Sequence, residues 1–148
     1  MNNYPKWWDT TVTIFNKYED STSHKTTWFK TVVTGCFWKF AGNRVTIDSS
    51  TIETKNIICR IPKNSKYLTK LDWSVLTEDE LTNFFTLGVG DIVICGEVAD
   101  VIDEYTAGQR SSDILKKYKQ SQQCMTIEAV SDNTGDYLGR PHYYVRGI

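Results

Sequence analysis

The sequence has no apolar stretch that approaches the ~20 residues needed to cross a bilayer as a helix. Its first residues, MNNYPKWWD, also lack the basic and then apolar order of a secretory signal. The formal net charge is only -1, so no overall positive field exists to attract nucleic acid or an anionic membrane. These absences predict a chain that stays in the cytosol where it is made and has no membrane partner.

Closely spaced metal ligands are also missing. The chain has four cysteines, none of them in a CxxC pair, and only two histidines, His24 and His142. The cysteines are Cys36, Cys59, Cys95 and Cys124. Because no secretory signal precedes them, we expect reduced thiols that pack as small hydrophobic side chains, and neither a metal nor a cofactor.

The stretch GVGDIVICG, residues 88–96, has the glycines of a phosphate-binding loop but not their spacing. A dinucleotide fingerprint needs three glycines at the start of a helix, and the third place here is Val93. A P-loop continues with Lys and Ser or Thr, whereas Gly96 is followed by Glu97, whose charge repels phosphate. We predict a core strand, with Gly88 and Gly90 as turn residues of positive φ and Gly96 as a bulge or close packing contact.

No pattern for catalysis stands out. His142 lies in a strand-like run beside aromatic residues and His24 in a polar loop, where a packed or surface imidazole is far commoner than a general base. The acids Asp100, Asp103 and Glu104 lack the glycine and ligand order of a calcium loop. We therefore expect no enzymatic activity and no catalytic residue.

The 148 residues, 40% hydrophobic and 13% aromatic, predict one globular domain spanning 1–148. Runs of β-branched and aromatic residues predict strands, and Gly35 predicts either a break or a bulge before CFWKF. Two short helices are expected, one after a capping box of Thr77 and Glu80 and one over SSDILKKYKQ. The predicted strands lie near 10–19, 25–33, 36–40, 57–62, 91–98, 124–130 and 142–148. This order predicts a mainly β fold, a small antiparallel β-barrel or sandwich of about six or seven strands with two short helical inserts and long loops.

Three segments extend from this barrel in the prediction. An N-terminal arm, 1–9, carries Trp7 and Trp8, which cannot both face one core from a strand. At least one therefore packs against a partner, unless the pair anchors the arm to its own barrel. A polar segment, 41–56, is expected to be a long inter-strand loop.

The third segment, 99–122, is a loop and helix with acids first and cations later. It either docks on a neighbour by charge complementarity or forms a solvated helix. The residues assigned to docking, besides the two tryptophans, are Asp103, Glu104, Arg110, Lys116 and Lys117.

Short runs such as TTWFKT, CFWKF and HYYVR alternate aromatic residues with single cations. An open barrel that exposes such residues binds single-stranded nucleic acid, as in OB-like modules. The same alternation arises in any strand with one buried face, and the net charge argues against this alternative.

The order YPKWWDTTVTIFNKYED, TWFKTVVTGCFWK, IICRIP, FTLGVGDIVICGEVAD and MTIEAVSDNTGDYLGRPHYYVRG resembles small minor structural proteins of tailed phages and prophages of Gram-positive bacteria. In particular it resembles the head-closure, or stopper, proteins of the phage neck. The similarity extends over nearly the whole chain.

This resemblance implies a virion neck protein that is made in the cytoplasm of the bacterial host. It implies a dodecameric ring that joins the portal and adaptor above to the tail terminator or tail tube below. The ring would retain packaged double-stranded DNA without sequence specificity. Stoppers close the channel with a long loop between early strands, here 41–56, so the residues nearest the axis would be Asn43, Arg44, Asp48, Ser49, Glu53 and Lys55. An adaptor or tail terminator is the alternative within the same class.

Overall fold

The computed structural model describes residues 4–135 and 139–148, apart from the side chains of 41–45 and 51–55. Its strands are β1 (Thr10–Glu19), β2 (Thr26–Ile47), β3 (Ser50–Pro62), β4 (Ile92–Cys95), β5 (Cys124–Asn133) and β6 (His142–Gly147). Its helices are α1 (Lys70–Ser74), α2 (Glu78–Leu81) and α3 (Ser111–Lys119). None of the helices in the described ranges has the length and apolarity that a membrane span requires.

The six strands close into a barrel in the order β1-β2-β3-β6-β5-β4, with every neighbouring pair antiparallel. Alternate residues of each strand point inward, so Val12 and Ile14 of β1 meet Cys59 of β3 and Val145 of β6 in one buried cluster. The predicted mainly β antiparallel barrel is thereby confirmed.

β2 is one long strand that continues past a bulge at Gly35. Thr10 pairs with Cys36 and Val12 with Val33, so β2 has one more residue than β1 between these two pairs. Gly35 has φ +74, a conformation that a side chain disfavours. Of the two alternatives for CFWKF, the structure shows the continuation.

The predicted long loop at 41–56 is wrong, because this segment is a β-hairpin. β2 and β3 stay in register from Phe37 opposite Arg60 to Ile47 opposite Ser50. Asp48 and Ser49, with φ +48 and +69, form the two-residue turn between them. The many Thr residues of this segment are β-branched and favour strands, although the overall polarity resembles that of a loop.

The helices match the prediction only in part. α3 is confirmed, and its N-cap is Arg110. Thr77 precedes α2, but its side chain makes no capping hydrogen bond, so the predicted capping box is absent. α1, which the sequence analysis missed, begins after Thr69, whose hydroxyl accepts from the N–H of Asp72 at 3.3 Å.

β4, within GVGDIVICG, lies between β1 and β5 as the predicted core strand. Gly90 and Gly96 have φ +94 and +100, as turn and bulge positions require. Gly88 does not have positive φ, and here the prediction was wrong. Its lack of a side chain makes room for Lys70, whose Cδ would lie 2.9 Å from a Cβ at this position.

The Asp91 carboxylate, which is buried, holds the segment before β4 against β1. It accepts hydrogen bonds from Asn16 Nδ2 at 3.0 Å, Lys17 N at 2.9 Å and Gly88 N at 3.0 Å. Lys70 Nζ lies 3.1 Å from the same carboxylate and supplies the opposite charge. The buried charge is thus both paired and hydrogen-bonded, as the interior requires.

Candidate functional site

The first candidate feature is the hairpin of residues 41–56, called the hairpin arm below. β1 pairs with β2 only as far as Cys36, and β6 pairs with β3 only from Ile57 onward. In the ladders that the structure describes, the hairpin arm therefore pairs only with itself. Its seven residue pairs, at ~3.4 Å per residue, give a two-stranded ribbon about 24 Å long.

The predicted channel residues all fall on this arm. Asp48 and Ser49 are exposed and form its tip. Arg44 stands opposite Glu53 in the register, while Asn43 and Lys55 pair with Thr54 and Gly42. The side chains of Asn43, Arg44, Glu53 and Lys55 lie outside the described part of the chain, and their role at a channel axis stays a prediction.

Adjacent tryptophans in the N-terminal arm have different surroundings. Trp8 is only 7% exposed, stacks on Tyr4 with ring centroids 5.6 Å apart, and meets the edge of His142 at 5.6 Å. Trp7 is 60% exposed and touches Phe37 edge-on at 5.4 Å. Trp8 thus anchors the arm to its own barrel, and Trp7 is the one that faces outward.

The second candidate feature is the outward surface of β2, β3 and β6, which we call the β3 face. It consists of two cross-strand rows, Phe37–Arg60–Tyr144 and Lys39–Ile58–Arg146. The guanidinium of Arg60 lies 5.2 Å from the ring centroid of Phe37 and 5.3 Å from that of Tyr144. Such cation–π contacts hold the Arg60 guanidinium beside both rings.

The β3 face carries cations without acids. Lys39 and Arg146 are exposed and Arg60 is half-buried. In the described part of the molecule, none of the three forms a salt bridge. The sequence analysis did not predict Arg60 or this shared face. The alternation of aromatic residues and cations in CFWKF and HYYVR indicated one exposed face of each strand. Only the pairing of the strands shows that the two runs lie on the same face.

A groove of about 660 Å³ borders the β3 face. Its lining residues are Trp7, Trp8, Arg60, Asp132, Asn133, Gly135, Arg140 and His142. His142 Nδ1 lies 2.7 Å from the Arg140 carbonyl oxygen, to which it donates, and Nε2 lies 3.4 Å from Asn133 Nδ2. Both ring nitrogens therefore contact groups of the protein itself.

Asp132, in the same groove, accepts hydrogen bonds from the hydroxyl and backbone N–H of Thr134, and these hold its pKa below the usual range. Its carboxylate is therefore an ionised partner of a turn and does not supply a proton at neutral pH.

The third candidate feature is the predicted excursion, 99–122, which contains α3. Ile102 and Ile114 pack against Phe15 of β1, Ile94 of β4 and Cys124 of β5 on the outer side of the barrel. The excursion therefore covers the outer surfaces of β1, β4 and β5.

The acids assigned to docking are engaged inside this excursion. Asp103 accepts hydrogen bonds from Tyr105 N at 2.9 Å and Thr106 Oγ1 at 2.8 Å, which lowers its pKa. Glu104 accepts from Ser111 N at 2.5 Å. These carboxylates shape the loop, a role that the sequence analysis did not foresee.

The docking cations lie on the solvent side, and Arg110, Lys116 and Lys117 are all exposed. Lys117 Nζ lies 3.1 Å from Asp100. The Tyr118 hydroxyl also donates to Asp100 and holds the pKa of this carboxyl below its usual range. Lys117 thus pairs with an acid of the same chain. Docking of Arg110, Lys116 or Lys117 on a neighbouring protein stays a prediction.

The cysteines are free thiols, and Cys36, Cys59 and Cys124 are buried, as predicted. A hydrogen bond with Cys36, together with burial, holds the pKa of Cys59 well above its usual range. Burial raises the pKa of Cys124 to about 12. The thiols of Cys59 and Cys124 therefore remain protonated at neutral pH and are poor nucleophiles. No group of three His, Cys, Asp or Glu that could hold a metal ion occurs within 4–135 and 139–148.

Comparison with known proteins connects these features to one family. A family model described as "Family of unknown function (DUF6751)" matches residues 7–148. The chain belongs to this family. No curated protein and no solved structure matches the chain. The DUF6751 match begins at Trp7 and includes the hairpin arm, the β3 face and the excursion, so all three belong to the span that defines the family.

Proposed function

We propose that this DUF6751 protein is a structural protein of the neck of a tailed phage or prophage, where a ring of copies forms the stopper. The observation that carries the proposal is the hairpin arm. The resemblance to stoppers assigns channel closure to residues 41–56, and this segment is the one part of β2 and β3 that pairs only with itself.

The geometry of the arm suits closure of a channel. A two-stranded hairpin is marginally stable by itself in water, so a projecting arm gains stability from contact with other chains. In a closed ring, equivalent arms of all copies meet around one axis. A ribbon about 24 Å long with paired backbone is also stiffer than a loop of equal length.

The overall charge fits the same role. With a net charge of -1, the protein has no strong general attraction for DNA, which must slide through the neck during packaging and ejection. Contacts of the ring are expected with a portal and adaptor above and with a tail terminator or tail tube below.

The location can be tested by electron microscopy of particles from cells that carry the gene. Immunogold labelling with antibodies against the purified protein is expected at the junction of head and tail. Label on the capsid surface or at the tail tip, or protein found only outside particles, contradicts the proposal.

The role of the arm can be tested with a variant in which Asn-Gly replaces 42–55 and directly connects Ala41 to Asn56, which are partners in the register. We expect heads that package DNA but lose it. The control is Lys66→Glu, at an exposed position outside the arm. Unchanged yield of infectious particles from the shortened variant contradicts the stopper role.

The two alternatives within the same class predict different defects. For a tail terminator we expect filled heads and tails of uncontrolled length. For an adaptor we expect empty heads that no longer recruit the ring below.

A second candidate, an OB-like module for single-stranded nucleic acid, is favoured by the aromatic and cationic β3 face. Against it, the barrel has six strands, whereas the OB-fold has five. Fluorescence anisotropy with a labelled oligothymidylate distinguishes the two. Binding that weakens steeply with salt and is lost in Arg60→Glu supports the nucleic-acid module, while weak binding without salt dependence counts against it.

A further inference from the structure

We infer that the β3 face of one copy binds residues 97–105 of a second copy, so that the ring closes by head-to-tail contacts. This inference rests on the proposed function, which requires a ring, and it assigns the two surfaces that form each contact. A ring needs two different surfaces of the same chain that complement each other.

The two surfaces lie on opposite sides of the barrel. In the closed order β1-β2-β3-β6-β5-β4, the strand diametrically opposite β3 is β4. The β3 face is centred on β3 and flanked by β2 and β6. The segment 97–105 follows β4 and belongs to the excursion over β1, β4 and β5. Opposite positions let each copy contact one neighbour on each side.

The chemistry of the surfaces is complementary. The β3 face offers Lys39, Arg60 and Arg146 around apolar and aromatic side chains. Residues 97–105, EVADVIDEY, contain four acids and no cation. Two large hydrophobic side chains of this segment are exposed, Val101 by 53% and Tyr105 by 64%. Asp100 is paired with Lys117, so the acids left to meet the cations of the β3 face are Glu97, Asp103 and Glu104, which lie beside the exposed apolar side chains.

Both surfaces are held in shape before contact. Arg60 lies between the rings of Phe37 and Tyr144. The loop is fixed by hydrogen bonds from Tyr105 N to Asp103 and from Ser111 N to Glu104. Preorganised surfaces lose less conformational entropy on association. Aromatic residues and arginines are also the side chains that dominate the energy of protein interfaces.

A second copy is favoured over nucleic acid as the occupant for two reasons. The complementary acids are supplied by the same chain, at the position that ring closure needs. The molecule as a whole also has a net charge of -1, so it has no general attraction for a polyanion. An oligonucleotide on the β3 face is the competing outcome of the test below.

The experiment uses two charge reversals at exposed residues that have no partner in the described structure, Arg146→Glu on the face and Glu97→Lys on the loop. Self-association of each purified variant is measured by sedimentation velocity over a range of concentrations and salt. Lys66→Glu is the matched control. We expect each variant to associate about tenfold more weakly than the wild type, whereas the control is unchanged.

Mixing the two variants gives the decisive result. In one contact the carboxylate introduced by Arg146→Glu meets the ammonium introduced by Glu97→Lys, and in the other Arg146 meets Glu97, so association is expected to recover toward the wild-type level. Carbodiimide cross-linking of an equal mixture of isotope-labelled and unlabelled wild type should join Lys39 to an acid of 97–104 in peptides of mixed isotope content. The same cross-linking is carried out on particles.

Each outcome separates the inference from the proposed function. Self-association, or cross-links in particles, through other surfaces overturns the inference and leaves the stopper proposal intact. A chain that is monomeric in solution and forms no mixed cross-link in particles overturns both. If Arg146→Glu abolishes binding of an oligonucleotide and leaves self-association unchanged, the β3 face is a nucleic-acid site and the inference is wrong.

Discussion

At the scale of single residues, Asp91 holds together parts of the chain that are far apart in sequence. Its carboxylate accepts from Asn16, Lys17 and Gly88 and pairs with Lys70, although its side chain is only 1% exposed. Nothing in the run GVGDIVICG distinguishes this aspartate from a turn residue. Its partners lie on β1, at the start of α1 and in the turn before β4, so its role depends on the closure of the barrel.

We predict that Asp91→Ala destabilises the protein by about 3–5 kcal/mol, because the amide of Asn16 and the backbone N–H groups of Lys17 and Gly88 lose their acceptor. Lys70→Met should cost less, about 1–3 kcal/mol, because the buried carboxylate keeps these hydrogen bonds but loses its opposite charge. Urea denaturation of both variants measures the difference. Equal losses in the two variants would show that the ion pair, and not the hydrogen-bond network, carries the stability.

The surface carboxylates predict the response to acid. Hydrogen bonds lower the pKa of Asp20, Asp100, Asp103 and Asp132. A lowered folded-state pKa adds stability that is fully present above the unfolded value of about 4 and is lost as pH falls through the folded value. The midpoint temperature of unfolding should therefore be flat from pH 7 to about 5 and fall below about pH 4.

Asp100→Asn should flatten the acid limb, because the hydroxyl of Tyr118 and the ammonium of Lys117 then lose their charged partner at every pH. Thermal unfolding between pH 7 and pH 3, with Glu97→Gln as a control at an exposed acid, measures this. An acid limb of the same slope in Asp100→Asn and wild type contradicts the assignment.

At the scale of elements, the hairpin arm shows that a polar segment can form strands although its composition resembles that of a loop. The segment is rich in Ser, Thr and Asn, and its strand character follows from its β-branched residues, such as Val45 and Ile52, which stand opposite each other in the register. For the short helix α2, the sequence pattern predicts the position of the helix but not its hydrogen bonds. α2 lies where its sequence pattern predicts a helix, yet the hydrogen bonds of the capping box do not form.

We predict that Ser49→Gly stabilises the arm, because serine at φ +69 is strained by roughly 1 kcal/mol relative to glycine. Ser50→Gly is the matched control, and it should weaken the arm, since Ser50 lies in β3. Hydrogen exchange of the Ile47 amide, which lies opposite Ser50 in the register, reports on both variants. Slower exchange in the control than in Ser49→Gly would contradict the turn assignment.

At the scale of the whole molecule, the barrel separates stability from assembly. The core cluster is built from inward residues of all the strands, while the arm, the β3 face and the excursion lie outside it. Changes on these surfaces are therefore expected to alter association far more than folding.

The variant in which Asn-Gly replaces 42–55 should unfold within about 5 °C of the wild type, because the removed residues pair only with each other. Circular dichroism during heating measures this, and the near-ultraviolet spectrum checks that the aromatic core is unchanged. A cooperative transition that disappears in the shortened variant would show that the arm is part of the folding unit.

The sequence by itself determined the fold class and most of the strands. These follow from local composition, since β-branched and aromatic residues favour strands and glycines of positive φ mark turns and bulges, as at Gly90 and Gly96. It also determined that GVGDIVICG is a core strand, because the residue spacing required for phosphate is absent.

Only the tertiary structure decided which residues meet. Phe37, Arg60 and Tyr144 are far apart in sequence and form one row because β3 pairs with both β2 and β6. The same closure places the β3 face opposite the acidic loop after β4. Strand pairing across such distances depends on the packing of the whole core, which no local pattern encodes.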